Sequence, residues 1–422
     1  MKNIGFIGLG KLGLPVAAAM SVKLNSKIVG FDKNPRISQY VLEKKVPYQE
    51  LRSDEFLSKA NISVASCIDD VVSNSDVIFC AVQTPHEPRF EGISPVPEVT
   101  ADFDYSFLCA ALEEVAHSAK KLDRNLTVVV ISTILPGTFR KKVLPIFSNL
   151  RNVGLVYNPF FIAMGTTIDD FLDPEFVLMG SDDIVAMEKL ESLYTQIHNS
   201  PVVKMKVESA ELTKVAYNTF IGFKIVFANT CGEILQNLGR GSVDEVSKAL
   251  SLANKRIISN KYLNAGMADG GGCHPRDQIA MSHLAKELHL SHNIFDELAR
   301  ARDQQTLGQA RLIRDFSAES KLPVVLLGEA YKPNIGLTIG SPALLLSYFL
   351  NELGVAHTSF DPFTSNDLTF KETKFGPSVF FLATNHEIFR NFSVPDESIL
   401  IDPWGFWEGV AINFKLVTPG RN

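Results

Sequence analysis

The chain has 422 residues, 45% hydrophobic and 21% charged, with a formal net charge of −6. That length exceeds one ordinary core, so two or three domains are expected. The slightly acidic balance gives no general attraction for nucleic acid or anionic lipid. Five scattered cysteines (Cys67, Cys80, Cys109, Cys231, Cys273) lack CxxC spacing, which argues against a disulfide framework or a metal site and for a reducing cytoplasm. The apolar run 4–9 is short and glycine-punctuated, unlike a signal peptide, and no run of about 18 apolar residues suggests a membrane span.

Residues 3–7 read as a strand, 14–24 as an Ala/Val-rich helix and 27–31 as a second strand ending at Asp32. Between the first strand and the helix stands Gly8-Leu9-Gly10-Lys11-Leu12-Gly13. In such a βαβ unit, Gly8 permits the tight turn and Gly10 lets a pyrophosphate meet the backbone. Gly13 lets helix and strand pack closely, and the helix N-terminus favours the negative charge. Asp32, about 20 residues on, would bond ribose hydroxyls and favour NAD over NADP, a preference that Lys33 and Arg36 would soften.

Further strands are expected at 76–82, 127–131 and 153–157, each running into a loop with polar or aromatic residues: Gln83-Thr84-Pro85-His86, Ser132-Thr133 and Asn158-Pro159-Phe160-Phe161-Ile162. Ligands sit beyond the carboxyl ends of parallel strands, so these loops belong to the crevice. The hydroxyls of Thr84 and Thr133 are either crevice groups or ordinary turn caps. From 208 to 239 a helix of about 30 residues would span roughly 45 Å, a length suited to a connector and a dimer interface. Lys214 and Asn218, four apart, share a face of it, as functional groups or as a solvated pair. Helices at 242–252, 278–288 and 294–315 flank the loop Asp269-Gly270-Gly271-Gly272-Cys273-His274-Pro275-Arg276-Asp277. Its glycines would let a ligand approach the sulfur, Arg276 would help lower the thiol pKa and Asp277 is a nearby carboxyl; the alternative is an inert buried cysteine. An α/β alternation restarts at 323–327, with a Ser341-Pro342 helix start and strands at 356–360, 378–382 and 399–402. No second GxGxxG accompanies it.

In order and spacing, these pieces resemble the nucleotide-sugar 6-dehydrogenase (UDP-glucose/GDP-mannose dehydrogenase) family over essentially the whole length, most like its UDP-glucose branch. The resemblance rests on Gly8–Gly13 with Asp32, Val82-Gln83-Thr84-Pro85, Ser132-Thr133 and Asn158-Pro159. It continues through Ala210-Glu211-Leu212-Thr213-Lys214 with Asn218, Arg256-Ile257, Gly270-Gly271, Cys273-His274-Pro275-Arg276-Asp277 and Gly328-Glu329-Ala330-Tyr331-Lys332-Pro333. It implies two Rossmann-like doubly wound α/β domains joined by a long central helix in an all-helical dimerisation region. The divisions would be 1–200 for NAD, 201–300 for dimerisation and the cysteine loop, and 301–422 for the UDP-sugar.

The implied activity is a four-electron oxidation of a UDP-sugar C6 hydroxyl with two NAD, serving polysaccharide biosynthesis in a cytoplasmic homodimer without nucleic acid, membrane or metal. UDP-glucose to UDP-glucuronate leads; a UDP-N-acetylhexosamine or GDP-mannose, or a turnover-deficient binding protein, are the alternatives. Cys273 would form the thiohemiacetal and thioester, Lys214 and Asn218 would stabilise oxyanion charge, and Asp277 with Thr133 would order water. Gly8, Gly10, Lys11, Leu12, Gly13, Asp32, Arg36, Thr84 and Thr133 would hold NAD. Phe160, Phe161, Ile162, Lys214, Asn218, Arg256, Tyr262, Gly270, Gly271, Tyr331 and Lys332 would hold the substrate. The chain departs from the family where a glutamate usually follows Asn-Pro: Phe160 stands there, with Asp169 or Asp170 as nearby substitutes. Ala268-Asp269 replaces the usual Gly-Phe before the glycines, and His274 a usual Phe or Leu.

Overall fold

The structure is a computed structural model that describes residues 3–85, 101–163, 165–238, 240–259, 265–271, 274–364, 375–407 and 413–419. Contacts divide the chain into two compact units, Met1–Gly222 and Phe223–Asn422.

The first unit is built on an eight-stranded sheet. Its strands are β1 (Ile4–Ile7), β2 (Ile28–Phe31), β3 (Ile62–Val64), β4 (Val77–Cys80), β5 (Leu126–Val130), β6 (Val153–Tyr157), β7 (Val177–Gly180) and β8 (Val202–Met205), in the order β3-β2-β1-β4-β5-β6-β7-β8. All neighbours are parallel except β6 and β7. Strand side chains alternate between faces, and helices cover both. Phe6, Phe79 and Val129 join the Ala-rich helix Gly13–Leu24 in one core. Ile7, Ile78, Val128 and Val130 join the helix Ser106–Lys121 in the other. Burial on both faces explains why these strands read as continuous apolar runs. Phe6 and Phe79 lie opposite each other in register and stack at 5.1 Å, and burying each ring is worth about 1.5–3 kcal/mol.

The second unit carries a five-stranded, fully parallel sheet: β9 (Val324–Leu327), β10 (His357–Phe360), β11 (Val379–Leu382), β12 (Ile399–Ile401) and β13 (Lys415–Val417), in the order β10-β9-β11-β12-β13. Ala310 and Ile313 of the helix Ile294–Ser320 pack into one of its two cores, and the helix expected over 294–315 runs five residues further. Ser341 caps the helix Pro342–Glu352, its hydroxyl accepting from the Ala343 N–H at 3.1 Å. The two-sheet α/β architecture expected from the sequence is present.

The long helix runs Val207–Leu238. Leu212, Phe220, Ile221 and Phe223 on it are 42–56% exposed. One expectation shifts: the helix placed at 278–288 begins four residues earlier, at His274. Pro275 therefore occupies a first turn, where a missing N–H costs nothing. Among the described residues no helix is long and apolar enough to cross a membrane.

Candidate functional site: a dinucleotide crevice and a buried lysine

β1 ends in a turn that only glycine can make. Gly8 has φ +93° and donates its N–H to Phe31 O at 2.9 Å; a Cβ there would lie 2.7 Å from Ala81 O. A Cβ on Gly13 would come within 2.0 Å of Gly8 O, whereas one on Gly10 would meet nothing within 4 Å. The open space falls where a phosphate would press against the chain. The helix Gly13–Leu24 starts without a side-chain cap and without an acidic residue in its first turn, so its first N–H groups are free of an anionic competitor.

Asp32 latches this turn: Oδ2 accepts the Leu9 N–H at 2.7 Å and Oδ1 the Asn34 N–H at 2.8 Å. Each carboxylate oxygen keeps a further lone pair for a ribose hydroxyl. Arg36 begins the next helix nearby, exposed, and the exposed Lys11 sits 5.9 Å over the Tyr48 ring. These residues fit a dinucleotide.

The neighbouring strand-end loops are tied together. Thr84 Oγ1 donates to Thr133 O at 2.8 Å, and Ser132 Oγ donates to Val82 O. The loop after Thr133 is held by Glu211, a carboxylate with no exposed surface, which accepts the Gly137 N–H at 2.6 Å and the Phe139 N–H at 2.7 Å. Burial raises the Glu211 carboxyl above its ordinary value, against the pull of those two donors. Nothing in its local sequence announced this strut, whose partners lie more than seventy residues away.

One turn further along the helix, Lys214 is 8% exposed and donates from Nζ to Phe160 O at 2.7 Å. Its ammonium lies 4.9 Å from the Phe161 ring centroid, and burial lowers its pKa. Among the described residues no carboxylate reaches ion-pair distance of it. Two residues before Phe160 the chain is anchored by the side chain of Asn158. That side chain is fully buried, donates to Leu178 O at 2.7 Å and accepts the Tyr194 hydroxyl at 2.5 Å. Phe160 packs on Phe171 (5.6 Å), Phe161 on Phe176 (4.8 Å) and Tyr217 (4.7 Å), and Ile162 against the first core. All three side chains are half-buried. Asn218 is exposed. Asp169 bonds Arg52 at 2.7 Å, and Asp170 accepts the Ala163 N–H and the Thr166 hydroxyl of its own loop. Neither is an unengaged substitute for the missing glutamate.

In the second unit, Gly270 and Gly271 lie against Tyr331, and the exposed Lys332 Nζ is 5.5 Å over the Tyr331 ring. The strand-end turn there is latched by Asp361, which accepts from the Glu329 and Ala330 N–H groups at 2.7 and 2.9 Å, from Phe363 N–H at 2.8 Å and from His386 Nε2 at 3.1 Å. Burial raises the Asp361 carboxyl, but these donors outweigh it and hold it down at about 2. Arg256 is exposed in the turn after the helix Val243–Ser251. His86, Tyr262, Gly272 and Cys273 lie outside the described residues, as do the side chains of Arg276 and Asp277. The described residues contain no cluster of three or more metal-ligating side chains.

Comparison with known proteins gives this geometry a family. Two models match, the UDP-glucose/GDP-mannose dehydrogenase family NAD binding domain over residues 2–198 and the central domain of that family over 208–303. UDP-glucose 6-dehydrogenase of Rickettsia conorii is 25% identical over 368 residues, covering 85% of this chain and 81% of that one. GDP-mannose 6-dehydrogenase of Pseudomonas aeruginosa is 27% identical over 371 residues, with the same coverage. A crystal structure of GDP-mannose dehydrogenase from Pseudomonas aeruginosa, a ternary complex, shares the fold with a TM-score of 0.84 at 24% identity, covering 98% of this chain and 99% of that one. The matched NAD domain takes in β1 to β7 of the first sheet and its glycine turn, and the matched central domain includes Lys214. The chain belongs to the UDP-glucose/GDP-mannose dehydrogenase family of NAD-dependent oxidoreductases.

Proposed function

We propose that the chain oxidises the C6 hydroxyl of UDP-glucose to the carboxylate of UDP-glucuronate. Two hydrides leave the sugar, water supplies the second oxygen and three protons are released. Lys214 carries this reading: a buried ammonium, hydrogen-bonded to the Phe160 carbonyl with no carboxylate at hand among the described residues, is a positive charge held for an anion that forms elsewhere. Both curated relatives are named as 6-dehydrogenases, which supports oxidation at C6.

NAD supplies the hydride acceptor at each stage. Gly8, Gly10, Lys11, Leu12 and Gly13 cradle its pyrophosphate, Asp32 and Arg36 meet the ribose end, and Thr84 and Thr133 line the crevice. Cys273 attacks the aldehyde so that it is not released. The second oxidation leaves a thioester on the sulfur, and water hydrolyses it. Lys214 and Asn218 stabilise the oxyanion, while Asp277 and Thr133 orient the water. The sugar nucleotide is held by Phe160, Phe161, Ile162, Arg256, Tyr262, Gly270, Gly271, Tyr331 and Lys332. The active form is a homodimer. A helix carrying exposed Leu212, Phe220, Ile221 and Phe223 on several faces is suited to being covered by a second copy.

The 27% identity with a GDP-mannose enzyme favours a second reading, the same chemistry on that sugar nucleotide. Incubating the protein with NAD and a panel of UDP- and GDP-sugars decides between them. The proposal expects two NADH per UDP-glucose; turnover confined to GDP-mannose or an N-acetylhexosamine nucleotide overturns the sugar assignment. Cys273→Ser should abolish carboxylate formation, and full turnover by that variant would exclude the thioester.

A further inference from the structure

The chain just before Cys273 is mounted on the second unit by contacts of two kinds. Some are matters of shape. A Cβ on Gly266 would lie 2.3 Å from the Trp404 indole, and one on Gly270 would lie 2.7 Å from Pro342 Cδ. Gly271 has φ +88°, and its Cβ would sit 2.9 Å from the Tyr331 ring. Such contacts dictate where the backbone passes, but they exert little torque on it.

The second kind is a clamp at Asp269. Arg302 Nε donates both to Asp269 Oδ1 at 2.9 Å and to the Asp269 carbonyl at 3.3 Å, so one guanidinium holds side chain and main chain of the same residue. The Arg302 side chain is only 14% exposed. It projects from the helix Ile294–Ser320, whose Ala310 and Ile313 are locked into the core of the second sheet. A planar guanidinium on a fixed helix sets orientation in a way that a lone glycine contact does not.

We propose that Arg302, acting through Asp269, is a positioning residue that aims the Cys273 thiol four residues along the chain at the aldehyde carbon. This rests on the reading of Cys273 as the nucleophile. Removal of a primary hydride from the alcohol does not involve the sulfur, whereas capture of the aldehyde does. Misplacing a nucleophile by about 1 Å can cost 10²-fold, so loss of the clamp falls on the second half of the reaction alone.

The test is single-turnover NADH formation by the full-length protein, with saturating NAD and whichever sugar nucleotide the panel shows to be turned over. For Arg302→Ala the first NADH should form within about twofold of the wild-type rate. The second should slow by about tenfold or more, with an aldehyde that semicarbazide traps. Arg302→Lys, which keeps the charge but not the Nε–H shared between the Asp269 carboxylate and carbonyl, should recover part of the second rate. A residue that merely stabilises the fold would slow both phases together, and that result, or two unaffected phases, overturns the proposal. Should Arg302→Ala fold poorly, Asp269→Asn makes the same separation with a smaller change. Cys273→Ser in the same assay keeps the questions apart. If it yields both NADH equivalents, the nucleophile reading fails; if it stalls while Arg302→Ala does not, only the clamp is wrong.

Discussion

The turn after β1 and the turn after β9 share one wiring plan. In each, a glycine at positive φ (Gly8, +93°; Gly328, +103°) donates its N–H to the last carbonyl of the adjacent strand, Phe31 or Phe360. The next N–H, of Leu9 or Glu329, donates to the aspartate that ends that strand, Asp32 or Asp361, at 2.7 Å in both. The two turns part at their third residue. Gly10 faces open space in the first turn, while Ala330 occupies the matching place in the second, where its carbonyl accepts the Thr384 hydroxyl at 2.6 Å. Asp32 is half-buried, whereas Asp361 is 3% exposed and accepts from three N–H groups and a fully buried His386 that stacks on Phe363 at 4.6 Å. The acid at the strand end is a latch in both turns. Whether it also meets a ligand depends on how much space the neighbouring residues leave open.

Gly13→Val should have the largest effect, because its Cβ has no room beside Gly8 O. NADH binding followed by fluorescence should weaken by at least about 100-fold and the first unit should unfold earlier, whereas Pro333→Ala at the matching place changes neither. Equal losses in both variants would break the comparison.

Asp361→Asn should cost about 2–4 kcal/mol in urea unfolding, since it weakens a buried, multiply bonded latch, and leave NADH affinity unchanged. The same latch predicts an acid limb. A folded pKa of about 2, below the ordinary carboxylate range, means that the unfolded chain binds the proton first. The stabilisation, about 2 kcal/mol, is then fully present above about pH 4 and lost as pH falls towards 2. The stability gap between wild type and Asp361→Asn should close over that interval, and a gap constant with pH would count against the latch.

Asp32→Asn should have the smallest effect: NAD affinity lower by about tenfold, relaxed rejection of NADP, and stability within about 1 kcal/mol of wild type. A stability loss as large as that of Asp361→Asn would erase the distinction between the turns.

The sequence announces features that depend on neighbours in the chain. β1, β4, β5 and β6 are buried on both faces, so their apolar runs between glycines and polar loops are plain to see, and so is the glycine turn with Asp32. β3, β8 and β13 are three or four residues long and partly exposed, too short to impose a period. The start of the helix at His274 is masked by three glycines and a proline that look like breakers. Glu211, Arg302 and His386 act on partners between 25 and 74 residues away, so their roles emerge only when the chain folds.

Glu211 and Lys214 occupy adjacent turns of one helix, and Glu211 grips the loop beyond Thr133. A rigid tilt of that helix end would therefore carry the ammonium and the loop beyond Thr133 together. Drift in sequence meets the same constraint, since the lysine cannot be re-aimed by reshaping the start of this helix without moving that loop as well.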